Sequence, residues 1–172
     1  MIALPKEKVL NIGISNFSPA QLTEIIAKTG VTPFAHQMEL HPYLPQSTWI
    51  ATHKSLGISV TAYSPLGGTN PIYHPGKETP PLLKNDVLLE IAGKTHCTPA
   101  QVALAWGIKR GTSVIPKSAH EDHFVENLEA LQCDLGIKDL AKIDLLAKKY
   151  LTRFSNPSKS WGVKLFEGLE DA

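Results

Sequence analysis

Four short apolar runs, each followed by a segment of helical periodicity, constrain this 172-residue chain more than any other feature. The runs are Val9–Ser15, Pro33–Leu40, Ile58–Ser64 and Thr112–Ile115, and each reads as a buried strand. A strand followed by a helix, repeated four times, builds parallel βαβ units, because parallel neighbours need a crossover long enough to hold a helix.

The helical segments carry their own punctuation. Ser18-Pro19-Ala20-Gln21 and Thr98-Pro99-Ala100-Gln101 are both capping boxes with proline at the first helical position. Leu22, Ile25 and Ile26 follow the first box at helical spacing, and Gly30 stands where a left-handed C-terminal residue is wanted. Further helices are expected over Ser47–Leu56, Asp86–Thr95, Val102–Lys109, Asp122–Leu131 and Lys138–Tyr150. From Pro65 to about Lys84 the chain is rich in Gly and Pro, as lids and binding loops often are. The tail, Leu151–Ala172, reads as irregular.

Composition narrows the class. A net charge of +1 lacks the concentrated positive field that nucleic acids and anionic membrane surfaces require, so neither is expected as a partner. No long apolar run opens the chain, so no signal peptide or membrane span is expected. Cys97 and Cys133 cannot make a disulfide framework or complete a zinc cluster, and a reducing, cytoplasmic setting is the default.

Polar or turn residues end every strand: Ser15-Asn16, Gln37 with His41, Tyr63-Ser64, and Lys117-Ser118. Ligands gather at such carboxyl ends in parallel α/β folds. Pattern alone does not separate a doubly wound sheet from a barrel, although the lack of a GxGxxG after any strand weakens the dinucleotide-fold alternative.

The strand-end motifs resemble those of the aldo-keto reductases. Ile12-Gly13-Ile14-Ser15-Asn16-Phe17 is similar to the family's fifth-strand signature, and Gln37-Met38-Glu39-Leu40-His41-Pro42-Tyr43 to the sixth. Ala62-Tyr63-Ser64-Pro65-Leu66-Gly67 resembles the seventh and Ile115-Pro116-Lys117-Ser118 the eighth. Arg153-Phe154 through Trp161-Gly162 resembles the family's C-terminal loop. The resemblance implies a single truncated domain over residues 1–172, a partial (β/α)8 TIM barrel holding strands five to eight. It also implies an NADP-dependent oxidoreductase reducing a small aldehyde or ketone. A different α/β barrel with a phosphate site after its last strands is the weaker alternative.

By the same resemblance, Ser15, Asn16 and Gln37 hold the nicotinamide carboxamide, since an amide needs both donors and acceptors. Tyr63 offers a flat face to the nicotinamide ring. Ser64, Leu66 and Gly67 let the loop backbone approach the pyrophosphate, and Lys117 with Ser118 cradle the adenosine 2′-phosphate. Glu126 and Asn127 match the adenine-side pair. The chain departs from the family pattern at His123, where NADP-preferring members commonly carry an arginine, and at His120, where a small hydroxyl residue is frequent. His120 and His123 lack a companion ligand and are expected to be surface residues of a helix start rather than a metal site; His41 is expected to be structural. His36, His53, His74 and His96 show no partners in the sequence.

The family's catalytic Asp, Tyr, Lys and His come from the first half of the barrel, so the resemblance assigns no proton donor to this chain. The enzyme reading therefore places activity in a longer form or an assembled complex. The alternative is an inactive remnant that binds nucleotide or another subunit. A half barrel leaves open strand edges at Val9–Ser15 and Thr112–Ile115, which predicts self-association or pairing with a complementary half.

Overall fold

A computed structural model describes residues 1–68, 79–163, 165 and 166. His74 and much of the Gly- and Pro-rich loop lie outside the described residues. Strands β1 (Gly13–Ser15), β2 (Ala35–Glu39), β3 (Ser59–Tyr63) and β4 (Ser113–Val114) form one sheet in the order β1-β2-β3-β4. The chain divides into two compact units, one of Met1–Met38, Gln46–Thr61 and Pro157–Ala172, the other of Glu39–Pro45 and Ala62–Asn156.

In the first unit β1 and β2 pair in parallel, with Ser15 opposite Gln37. The strand expected from Val9 begins only at Gly13, although Phe34 N–H already donates to Ile12 O at 2.8 Å. Helix α1 (Pro19–Thr29) follows, and its capping box closes as the sequence requires. Ser18 Oγ accepts from Gln21 N, and Gln21 Oε1 accepts from Ser18 N at 2.8 Å. Gly30 ends it at φ 66°, a left-handed conformation that costs glycine no steric penalty. Helix α2 (Ser47–Ser55) buries Trp49 and His53. Along β2 and β3, His36, Met38 and Val60 are buried, whereas Gln37 and Ser59 are exposed. That alternation marks strands covered on one face rather than the two-sided burial their apolar character suggested.

The second unit is built around α4 (Pro99–Lys109), in which every residue from Ala100 to Gly107 is buried. Its composition explains this, because a helix apolar all round must sit inside a core. Helix α3 (Asp86–Thr95) packs Leu88 and Ile91 into the same core, and α6 (Ile137–Asp144) adds Ile143. Gly107 allows β4 to approach, since a Cβ there would stand 2.9 Å from Val114 Cγ1. Helix α5 (Glu121–Glu129) continues as a 3-10 turn over Ala130–Gln132.

Two expectations about helices are corrected. The helix expected over Lys138–Tyr150 breaks into α6 and α7 (Ala147–Tyr150). At the break Leu146 N–H bonds Ile143 O, three residues back, while Asp144 Oδ1 accepts from Trp106 Nε1 at 2.8 Å. The tail expected to be irregular contains a short helix, α8 (Ser158–Trp161), ended by Gly162 at φ 67°. The cysteines, set aside in the sequence as a framework, form one bridge between Cys97 and Cys133, with Cα atoms 6.0 Å apart. No helix among the described residues is long and apolar enough to cross a membrane.

Candidate functional site

The second unit contains a cavity of about 550 Å³, within the size range of small-molecule sites. Ser64, Leu66 and Gly67 form one side, from the turn that follows β3. Lys117 and Ser118 come from the loop after β4, and Glu126 and Asn127 from α5. Seven residues singled out in the sequence therefore converge on one cavity, from three separate stretches of chain.

Local chemistry sets each wall. Ser64 adopts φ 49° and Gly67 φ 72°, and Gly67 N–H closes the turn on Ser64 O at 2.8 Å. A left-handed serine stores backbone strain, of the kind concentrated at ligand-binding turns. Ser118 Oγ accepts from His120 N at 3.0 Å and donates to His120 O at 3.2 Å, which folds the loop ahead of α5. His120 and His123 also line the cavity, their ring centroids 5.3 Å apart. Among the described residues, no three His, Cys, Asp or Glu side chains group as a metal site. Gln101 fixes the far wall: its Oε1 accepts from Thr98 N at 2.9 Å, and its Nε2 donates to Glu126 O at 3.1 Å.

The residues present fit the phosphate-bearing end of a dinucleotide. Lys117 supplies a cation, Ser118 a hydroxyl and Asn127 an amide, side-chain types that suit a phosphate.

Phe154 is packed on the Gly67-Gly68 turn. A Cβ at Gly67 would come within 3.2 Å of Phe154 Cε2, and one at Gly68 within 2.8 Å of Phe154 Cγ. The segment is held by Glu39, which is fully buried. Its Oε1 accepts from Phe154 N at 2.7 Å and from His41 Nε2 at 3.0 Å, and its Oε2 accepts from Ser155 N at 2.8 Å. Burial alone would raise the Glu39 pKa, but the His41 contact and the two backbone donors outweigh it and hold the carboxyl below the usual range. Tyr63, the last residue of β3, is half-buried, and its carbonyl accepts from Leu40 N at 3.3 Å. Trp161, at the end of α8, is 69% exposed.

In the first unit Ser15, Asn16 and Gln37 stand together at the ends of β1 and β2. Ser15 is the register partner of Gln37, and Asn16, at φ 57°, donates its N–H to Gln37 O at 3.1 Å. All three side chains are exposed.

Directly behind this strand end lies a buried pair that the sequence did not disclose. His36 Nε2 accepts from Phe17 N at 3.0 Å, and His36 Nδ1 lies 2.6 Å from His53 Nε2. His53 Nδ1 in turn lies 2.6 Å from Trp49 O. Burial, reinforced by the neighbouring His53, lowers the His36 pKa to about 4, and burial also lowers that of His53. The two histidines are 17 residues apart on different elements. The one local signal was the spacing of Trp49 and His53, four apart on a single helix.

Comparison with known proteins follows the same lines. Residues 6–148 match the model of the aldo/keto reductase family. The chain is 40% identical over 167 residues to an uncharacterized oxidoreductase of Schizosaccharomyces pombe, covering 95% of this chain and 50% of that protein. It is 39% identical over 155 residues to the NADPH-dependent D-xylose reductase of Meyerozyma guilliermondii, covering 88% and 48%. The solved structure of aldose reductase from Giardia lamblia superposes with a TM-score of 0.82 at 30% identity, over 94% of this chain and 53% of that one. The chain thus spans about half the length of the relatives it matches.

Proposed function

Because the chain belongs to the aldo/keto reductase family, we propose that it supplies the cofactor-binding part of an NADP-dependent oxidoreductase acting on a small aldehyde or ketone. Convergence of Ser64, Leu66, Gly67, Lys117, Ser118, Glu126 and Asn127 on one cavity carries this reading. Both units belong, in this proposal, to one barrel domain, with β1 to β4 as the family's strands five to eight.

NADPH supplies a hydride when bound. The chain's own residues bind and orient it. Lys117 and Ser118 take the 2′-phosphate, Glu126 and Asn127 the adenine side, and the Ser64–Gly67 turn the pyrophosphate. Ser15, Asn16 and Gln37 take the carboxamide, and Tyr63 the nicotinamide face. No residue here is assigned the proton transfer to the carbonyl oxygen. The cytoplasmic setting expected from the sequence belongs to the same proposal, and there the Cys97–Cys133 pair would be held as thiols.

Calorimetry with NADP+ and NAD+ tests the cofactor assignment. Lys117→Ala should weaken NADP+ about tenfold, the scale of one charge-assisted phosphate contact, and leave NAD+ nearly unchanged. Failure to bind either nucleotide, or equal losses for both, would overturn it.

A second reading is favoured by Gln37 and Ser59, which stand exposed on β2 and β3: a non-catalytic chain that binds nucleotide and covers that face with a complementary half or a second copy. It predicts no NADPH oxidation with generic aldehydes and an oligomer by light scattering. Turnover by the chain alone would exclude it.

A further inference from the structure

His36 and His53 are fully buried, and each imidazole nitrogen of the pair has a partner. Hydrogen-bond direction settles where the protons sit. Phe17 N–H can only donate, so His36 Nε2 is bare and the His36 proton is on Nδ1. That proton points at His53 Nε2, which must be bare as well, leaving the His53 proton on Nδ1 to bond Trp49 O. One arrangement satisfies every atom, and both rings are neutral in it. A further proton has nowhere to go without breaking the chain, because both remaining acceptor nitrogens already face an N–H.

The end of this relay is functional in position. Phe17 follows Asn16, whose left-handed backbone places its N–H on Gln37 O. His36 precedes Gln37 on β2, and adjacent strand residues point to opposite faces. The imidazole therefore ties down the Asn16–Phe17 turn from the buried side, while Gln37 stands on the exposed side.

We propose that His36 and His53 are positioning residues for carboxamide recognition: their relay holds the Asn16–Phe17 turn so that Ser15, Asn16 and Gln37 present a fixed set of amide donors and acceptors, and protonating the relay releases that turn. This inference rests on the assignment of those three residues to the nicotinamide carboxamide. The groups packed on His36 are His53 and Trp49 of α2 and Phe17 of the β1–α1 turn. The only one of these that titrates is His53, whose proximity disfavours a charge on His36. Burial, reinforced by His53, holds the His36 pKa at about 4 and places the release near that pH.

The test compares NADP+ with 2′,5′-ADP, which keeps the adenosine 2′- and 5′-phosphates but lacks the nicotinamide ribose phosphate, by calorimetry on the full chain. His36→Leu leaves Phe17 N–H without an acceptor and should weaken NADP+ about tenfold while leaving 2′,5′-ADP within about twofold. His36→Gln, whose Oε1 can take the Phe17 N–H and does not titrate, should restore NADP+ affinity. In the unsubstituted chain the preference for NADP+ over 2′,5′-ADP should hold level from about pH 7 to about pH 5 and decline as pH falls toward about 4, and in His36→Gln it should stay level throughout. If His36→Leu does not fold, the paired pH profiles of the other two proteins decide. Equal losses for both ligands, or the same pH profile with and without His36, would overturn the inference. Binding of 2′,5′-ADP with no gain from the nicotinamide overturns it too, whereas binding of neither ligand sinks the cofactor assignment itself.

Discussion

Phe154 occupies the space that a side chain at Gly68 would need, with Phe154 Cγ 2.8 Å from the position of an added Cβ. The contact joins the tail to the turn after β3 within one compact unit, and it depends on the absence of a single methyl group.

Gly68→Ala should therefore destabilise the second unit by about 1–3 kcal/mol, the usual cost of overpacking, and Phe154→Ala should relieve most of the strain. Thermal unfolding of the two single variants and the double variant measures the coupling. Strict additivity would show that Phe154 does not press on the turn.

Glu39→Gln should be costly. The buried carboxylate accepts two backbone N–H bonds and one from His41, and the amide replaces an acceptor with a donor facing them. The expected loss is about 3 kcal/mol, as for breaking a buried charged network. Because the folded pKa lies below the ordinary glutamate value of 4.5, this stability is present above that value and is lost as pH falls through the folded pKa. Urea midpoints that do not move on substitution would contradict the account.

The histidine pair predicts a separate window. The folded pKa of His36, about 4, is depressed below the ordinary histidine value of 6.5, so its contribution is complete above pH 6.5 and declines as pH falls toward 4. Up to about 3 kcal/mol is at stake over that interval. In His36→Gln the slope of urea stability against pH should flatten there while the Glu39 region, further into acid, is unaffected. An unchanged slope would mean that His36 titrates normally in the folded chain.

Reduction of the Cys97–Cys133 bridge should lower stability by about 4 kcal/mol on the loop-entropy model, given a sequence separation of 36. Thermal melts with and without dithiothreitol read this directly, and coincident melts would show that the cysteines are unbonded in the isolated protein.

Local rules were the part of the fold legible in the sequence. Both capping boxes, the left-handed Gly30 and the helix Asp86–Thr95 stand where residue type alone put them, because each depends on atoms within a few positions of one another. The break between Asp144 and Ala147 was not legible, since Trp106, 38 residues away, supplies the partner that holds Asp144. The same limit hid the His36–His53 relay and the cysteine bridge, which join residues of separate elements. At the cavity, family resemblance pointed to seven lining residues with His120 and His123 beside them, while Pro99 and Ala100 became visible as neighbours only once α4 and α5 were folded. Strand length was overestimated at Val9–Ile12, because apolar character marks where a strand is able to form and pairing decides where it does.

The two capping boxes look alike but do not tolerate the same changes. Gln21 uses its carbonyl oxygen on Ser18 N, and glutamate would serve there equally well. Gln101 makes the same bond to Thr98 N but also donates its amide to Glu126 O, and a carboxylate in that place would face a carbonyl oxygen with no proton to offer. Of the two residues that close such a box, only one is admissible at position 101. Sequence drift at this helix start is thus restricted by the opposite wall of the cavity, while the same motif on α1 remains free to vary.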